Sequence, residues 1–393
     1  MMNDKWCMAE EDEIDETLKS IAQMLVAARA PLIYGLTQLT VEAQELAVEL
    51  AMCLRGAIDT PHGSRIPPRG TSLQLHGEAR TTLGELRLYA DLLVYVHAPA
   101  KDNSPPFSLT HALASQANLP GKRIIHICMM QDGVRPVPKQ DQKDLLVHAD
   151  SGSFSTKVRE LDCRNEQELF ELRKKLAYRE LTHDADWEQL LRAWQEAKYP
   201  VLAYEPSGLT RSLGSEAAAY LIEQIERAAL ARAKFGRAAA WPLEAHSGGL
   251  SNAAGAEYVL TARTGYPASV QCFSGCAEFL PGMTNAEALL ADGVIDAVLF
   301  LGEGPSADWS AAALQHLQKI PTATIASSLV LQGKSLLHKI ECNSLSEEQG
   351  TIVREDGIPI SLDSSGNPES SAASILRQLL AIIREPSLQG AAR

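Results

Sequence analysis

The strongest constraint on this 393-residue chain is a design that occurs twice: a helical repeat, a proline, then a short run of continuous apolar residues. One copy is DETLKSIAQMLVAARAPLIYGL at 15–36, and the other is ADWEQLLRAWQEAKYPVLAYEP at 185–206. Proline stops each helix and is tolerated at the first residue of a strand, where its missing N–H breaks no ladder bond. The runs Leu32-Ile33-Tyr34 and Val201-Leu202-Ala203-Tyr204 lack the alternation of a half-exposed strand. Burial on both faces is therefore expected, as in a parallel sheet between two layers of helices. ADLLVYVHAPA (90–100) and DAVLFLGEGPSA (296–307) end alike, apolar and then broken by Gly, Pro and Ala. After the first strand, Thr40 is placed to cap a helix and Glu42 to complement its first turn. Ala43, Leu46, Ala47, Leu50, Ala51 and Leu54 then make one apolar stripe, with Gly56 expected to close it. Strands alternating with helices predict right-handed crossovers and an α/β fold of doubly wound parallel sheets.

The C-terminal part reads differently. GTIVREDGIPISL (350–362) has Asp356-Gly357 between short apolar runs, a hairpin signal. SSAASILRQLLAIIRE (370–385) is an amphipathic closing helix, reached through a Ser/Asn/Pro-rich loop at 363–369. A helical stretch at 165–195 reads as a connector between α/β units. The length suggests two or three domains, and 45% hydrophobic residues are enough to fill their cores. With 49 acidic against 36 basic residues, the formal charge of −13 argues against nucleic acid or an anionic membrane as the main partner. The acidic run at 10–16 reads as a solvated helix face. No apolar run approaches a bilayer span and no signal-peptide core precedes the first helix. Seven scattered cysteines fit reduced thiols and a cytoplasmic location.

Motifs that carry chemistry are few. Gly302-Glu303-Gly304-Pro305-Ser306-Ala307 has the spacing of a dinucleotide loop. Glu303 would repel a pyrophosphate, however, and Pro305 removes an amide donor, so a tight strand-end loop is the better reading. Cys272 and Cys276 lack the second ligand pair that a metal or cluster needs and read as two free thiols. His62, His97, His111, His126, His148 and His246 are spread over different strand ends. His62 and His246 follow comparable strands and could face one cleft, although a loop histidine is more often a hydrogen-bonding residue than a catalyst. The loop AIDTPHGS (57–64) leaves the carboxyl end of a strand, where α/β proteins place their chemistry.

Three longer strings, taken in order, resemble the B subunit of formylmethanofuran dehydrogenase and its counterpart in the bacterial formyltransferase/hydrolase complex. They are APLIYGLTQLTVEAQELAVELAMCLRGAIDTPHG, VLTARTGYPASVQCFSG with PGMTNAEALLADGVIDAVLFLGEGPSADW, and EEQGTIVREDGIPISL. The resemblance implies the α/β domains of molybdopterin oxidoreductases, similar to formate dehydrogenase and DMSO reductase, without their C-terminal pterin-binding barrel. It also implies an interrupted order. Residues 28–78 and 238–362 would form one discontinuous domain, and 79–237 an inserted one. They would be flanked by an N-terminal helical segment (1–27), with the iron–sulfur motif missing, and a C-terminal helix and tail (363–393).

In the dehydrogenase form, the loop matching DTPHG carries a metal-ligating cysteine just before the histidine. Here Pro61 stands in that place, with His62 and Gly63 retained, and a proline offers no thiolate or selenolate. Glu244 matches an active-site arginine and would repel formate and pterin phosphates; His246 follows it. The resemblance therefore implies a degenerate pocket at Pro61, His62, Gly63, Glu244 and His246, with no catalytic residue, no metal, and loss of molybdopterin or tungstopterin and the iron–sulfur cluster. The expected role is a non-catalytic structural subunit beside hydrolase, C and formyltransferase subunits in tetrahydromethanopterin- and methanofuran-dependent one-carbon metabolism, with a methanofuran-type coenzyme as a further candidate ligand. The alternative is an active tungsten or molybdenum oxidoreductase subunit.

Overall fold

The computed structural model describes residues 3–61, 63, 76–97, 123–129, 159–163, 173–174, 185–242, 251–305, 309–327, 338–363 and 366–386. The chain divides into two compact units, Met1–Ile66 with Gly249–Arg393, and Pro67–Gly248. The first unit opens with α1 (Asn3–Ala27), β1 (Pro31–Gly35), α2 (Val41–Cys53) and β2 (Ala57–Asp59). The second unit follows with α3 (Leu83–Leu88), β3 (Leu92–His97), β4 (Arg123–Met129), β5 (Arg159–Cys163) and α4 (Ala185–Glu196). It continues through β6 (Pro200–Tyr204), α5 (Pro206–Leu213), α6 (Ser215–Ala233) and β7 (Ala239–Pro242). The chain then re-enters the first unit with α7 (Ala253–Thr264), β8 (Val270–Gln271), α8 (Ala286–Ala291), β9 (Ala297–Leu301) and α9 (Ala311–Leu317). β10 (Thr322–Ala326), β11 (His338–Glu341), β12 (Gly350–Val353), β13 (Pro359–Leu362) and α10 (Ala372–Ile383) complete it.

The first unit's sheet has the order β11-β10-β9-β1-β2-β8 and is parallel except for β8 at its edge. Its strands show why they read as unbroken apolar runs. Ile33, Leu299 and Leu301 face a core shared with α1, α2, α7 and α10, while Leu32, Tyr34, Val298 and Phe300 face one shared with α8 and α9. Period-two alternation thus sends every residue into one core or the other. The second unit repeats the plan with β5-β4-β3-β6-β7, all parallel. Leu92, Val94 and Val96 pack with α4, α5 and α6, whereas Leu93, Tyr95 and Trp241 pack with Leu86 of α3.

The twice-used sequence design is also a twice-used hydrogen-bond device. Asp296 accepts from the Arg29 and Ala30 amides, both at 2.9 Å, just before Pro31. Asp91 accepts from the Lys198 and Tyr199 amides at 2.7 and 2.8 Å, just before Pro200. Each aspartate precedes the strand that pairs in register with the proline, Pro31 with Ala297 and Pro200 with Leu92. Amides freed at the helix end thus find a carboxylate on the neighbouring strand.

Three expectations about organisation change. The second unit begins before residue 79: His76 lies 3.0 Å from Glu223 of α6. Residues 238–242 do not belong with the first unit, because β7 pairs with β6. The terminal helices are not separate segments either, since Leu18, Ile21 and Leu25 of α1 share the first unit's core with Ile375, Leu376 and Leu379 of α10. At the end of α2, Arg55 rather than Gly56 takes the left-handed conformation (φ 51°). The Gly56 amide closes back onto Ala51 O at 2.9 Å. Glycine is required at 56 for a different reason: a Cβ there would lie 2.6 Å from Pro31 O. Among the described residues no helix is long and apolar enough to cross a membrane.

Candidate functional site

In the first sheet β2 lies on one side of β1 and β9 on the other, which makes the β1/β9 boundary a topological switch point. Ligands of open α/β sheets bind outside the strands' carboxyl ends at such a point. β1 and β9 approach closely here. A Cβ on Gly35 (φ 126°) would lie 2.0 Å from Leu301 O, so only glycine fits. Leu36 follows at φ 82°, a strained conformation for a branched side chain.

A buried polar staple over-determines that strain. Gln44 Nε2 donates to Leu36 O (3.0 Å), Leu39 O (3.2 Å) and Asn252 O (3.0 Å). Asn252 Nδ2 donates to Leu39 O at 2.9 Å, and Asn252 Oδ1 accepts from the Val353 amide of β12 at 2.8 Å. The β1 loop, the start of α7 and the hairpin are therefore held together by two side chains. Across the switch point, Thr37 Oγ1 donates to Glu303 Oε1. Burial pushes the Glu303 carboxyl up to about 7, opposed by a hydrogen bond from Gln38. The Gly302-Glu303-Gly304 loop thus turns a buried carboxyl group onto Thr37.

At the end of β2, Asp59 is fully buried, and among the described residues no cation pairs with it. Its Oδ1 accepts from the Thr60 amide (2.8 Å), the Ser269 amide (3.0 Å) and Ser269 Oγ (3.1 Å), and its Oδ2 accepts from the Ala286 amide (2.7 Å). Burial raises this carboxyl from 3.8 to about 6, against the donors that favour its charged form. The bonds hold Ser269 at φ 53°. The next turn is built on the same carboxylate. The Gly63 amide donates to Thr60 O at 2.9 Å, and a Cβ on Gly63 would lie 1.9 Å from Asp59 Oδ1. Pro61, half-buried, is the second residue of this four-residue turn, where its fixed φ is favourable.

Of the residues singled out in the sequence, Pro61 and Gly63 are placed in this turn, while His62, Glu244 and His246 lie outside the described residues. His97 and His126 are in β3 and β4 by backbone only, and His111 and His148 also lie outside. Cys272 is buried and Cys276 exposed, both free thiols. Among the described residues no three His, Cys, Asp or Glu side chains are grouped as a metal would need. Sequence reading missed Asp59, Gln44, Asn252 and Ser269. A glutamine inside an apolar helical stripe was the available signal for Gln44.

No protein-family model matches the chain. It is 26% identical over 365 residues to the B subunit of the tungsten-containing formylmethanofuran dehydrogenase 2 of Methanocaldococcus jannaschii, covering 90% of this chain and 78% of that protein. The protein of the same description from Methanococcus maripaludis is 24% identical over 365 residues, covering 89% and 78%. This chain is homologous to the B subunit of formylmethanofuran dehydrogenase. Its fold also matches a chain of the formyltransferase/hydrolase complex from Methylorubrum extorquens, solved with methylofuran, at a TM-score of 0.70 and 20% identity over 94% of this chain and 96% of that one. The α/β fold with mainly parallel sheets is therefore shared.

The homology raises a metal, and the turn can be tested for it. The Pro61 ring carries no donor atom, and its tertiary amide nitrogen, whose lone pair is delocalised into the carbonyl, cannot ligate. The Asp59 oxygens are already engaged by four donors. Among the described residues, this turn does not fit a thiolate-held tungsten or molybdenum.

Proposed function

We propose that the chain is a non-catalytic structural subunit of a formyltransferase/hydrolase complex, derived from the B subunit of a formylmethanofuran dehydrogenase. It holds hydrolase, C and formyltransferase subunits together for the formyl-transfer and hydrolysis steps of tetrahydromethanopterin- and methanofuran-dependent one-carbon (formaldehyde to formate) metabolism, the oxidation itself lying outside the complex. Pro61 carries this reading. A sulfur donor at that place would serve a redox metal; a proline serves only the turn it occupies. Formyl transfer moves an acyl group between two amines, and hydrolysis releases it to water as formate. Neither step moves an electron, so a member of such a complex has no need of the metal. Support comes also from the fold likeness to a chain of a formyltransferase/hydrolase complex over nearly the whole of both chains.

In this reading the domains are those of the molybdopterin oxidoreductases without the pterin-binding barrel. Molybdopterin, tungstopterin and the iron–sulfur cluster have no role in this chain. His62, Glu244 and His246 are remnants of the former pocket, and Glu244 stands in the sequence where the dehydrogenase form has an arginine. The reading is tested by co-expressing the chain with the hydrolase and formyltransferase subunits and sizing the product by light scattering. A heteromeric assembly that is lost when this chain is omitted is expected. A chain that stays monomeric beside them contradicts the scaffold role.

A further inference from the structure

The carboxyl edges of the sheets are where chemistry is looked for, but the second unit's opposite edge carries a feature that its core does not explain. Leu88 and Tyr89, at the end of α3, are 63% and 59% exposed, and Phe235, after α6, is 68% exposed. Tyr89 lies under Arg237, and Phe235 precedes Arg237 by two residues in the chain. The Arg237 guanidinium lies 4.4 Å from the Tyr199 ring centroid and 5.6 Å from that of Tyr89, and it is bonded to Glu85. The Tyr199 hydroxyl is fixed in turn by Thr81 at 2.7 Å, and Glu85 closes the capping box of α3. Arg237 is therefore ordered before anything binds it, and the rotamer entropy that docking usually removes is already lost.

The charges around this cluster are one-sided. Glu85 is used by Arg237 and the α3 cap, and Asp91 by the Lys198 and Tyr199 amides. Lys198 and Lys234 are exposed and, among the described residues, have no ion-pair partner. A chain of net charge −13 thus presents here aromatic and aliphatic side chains set among cations. Tyr, Phe and Arg in one patch is the composition of interface centres, whereas scattered single apolar residues are ordinary surface.

We propose that this amino-terminal edge of the second unit's sheet, with Leu88, Tyr89 and Phe235 around Arg237, is a docking surface for an acidic face of another member of the complex. The proposal rests on the scaffold reading above and assigns one of its contacts. The occupant follows from charge: Lys198 and Lys234, exposed and next in the chain to Tyr199 and Phe235, favour an anionic protein face. A second copy meeting the same patch isologously would set these cations against themselves.

The test uses the full chain, the chain with Lys234→Glu and Phe235→Ser together, and the chain with Tyr89→Ser alone. Each is co-expressed with the hydrolase and formyltransferase subunits. All three substituted residues are exposed, and melting curves matching the unsubstituted chain confirm folding. Assembly is measured by affinity capture and light scattering at low and high salt. The expected result is at least a tenfold loss of affinity in the double variant, with a weaker salt dependence. Equal assembly by all three chains would overturn the docking surface and leave the scaffold reading standing. No assembly by the unsubstituted chain would remove both. A homodimer of the chain that the variants disperse would also overturn the proposal, by placing a second copy on this edge.

Discussion

Among the described residues, the buried Asp59 carboxyl is met by hydrogen-bond donors only, and two titrations follow from such burial. The folded chain binds a proton at Asp59 more tightly than the unfolded chain does, since burial lifts it from 3.8 to about 6. This group's contribution to stability is therefore greatest below about pH 4 and declines as pH rises to about 6, by roughly 2–3 kcal/mol. Asp59→Asn should abolish that decline. It should also cost about 2–4 kcal/mol at pH 7, because an amide N–H2 then meets the Ala286 amide. Denaturant unfolding of both chains between pH 4 and 7 checks this, and parallel pH profiles would contradict it. Glu303 is raised from 4.5 to about 7 by burial, so its sign is the same and its window higher. Glu303→Gln keeps the acceptor for Thr37 without the charge. It should melt above the parent chain at pH 8 and lose that advantage by pH 5.

Between elements, the hairpin shows how a free edge is kept from pairing. Thr351 and Val353 of β12 donate to Glu42 and Asn252, so Gly350 and Ile352 are the residues that bond with β13. Their partners are Leu362 and Ile360, which leaves Pro359 and Ser361 with their backbone turned to the open edge. Proline there removes one of the donors a second strand would need. Pro359→Val should restore it and raise aggregation at high concentration, as followed by light scattering, with little change in melting temperature. The staple is the opposite case. Gln44→Leu leaves the Leu36 and Asn252 carbonyls without their side-chain donor, and Leu39 O with that of Asn252 alone, and should cost about 2–4 kcal/mol of stability.

These two cases also mark what the sequence could and could not reveal. Thr40, the β9 run, the Asp356-Gly357 turn and the α10 stripe are local signals, and they read correctly because propensity and period act over a few residues. Gln44 with Asn252, and Asp59 with Ser269 and Ala286, join residues more than 200 positions apart. No local pattern encodes such pairs. Asp59 lay inside the AIDTPHGS string but had no local sign of its distant donors, while Pro61 was visible only against a resemblance.

For the whole molecule, each unit has its own pair of apolar cores, one on each face of its sheet. Calorimetry should resolve more than one unfolding transition, with a calorimetric enthalpy above the van't Hoff value; equality of the two would contradict separate packing. Domain boundaries were harder to read than strands, because β7 belongs to a sheet by pairing and α1 and α10 to a core by packing. Function at this scale turns on whether the homology to a tungsten-containing enzyme extends to the metal. The most direct measurement is elemental analysis of the purified complex by inductively coupled plasma mass spectrometry, normalised to this chain. On the proposed function, which sets Pro61 in the place of a sulfur ligand, tungsten and molybdenum should both be far below one atom per chain, while formyl transfer and hydrolysis proceed. One atom of either metal per chain, lost when this chain is removed, would contradict the account.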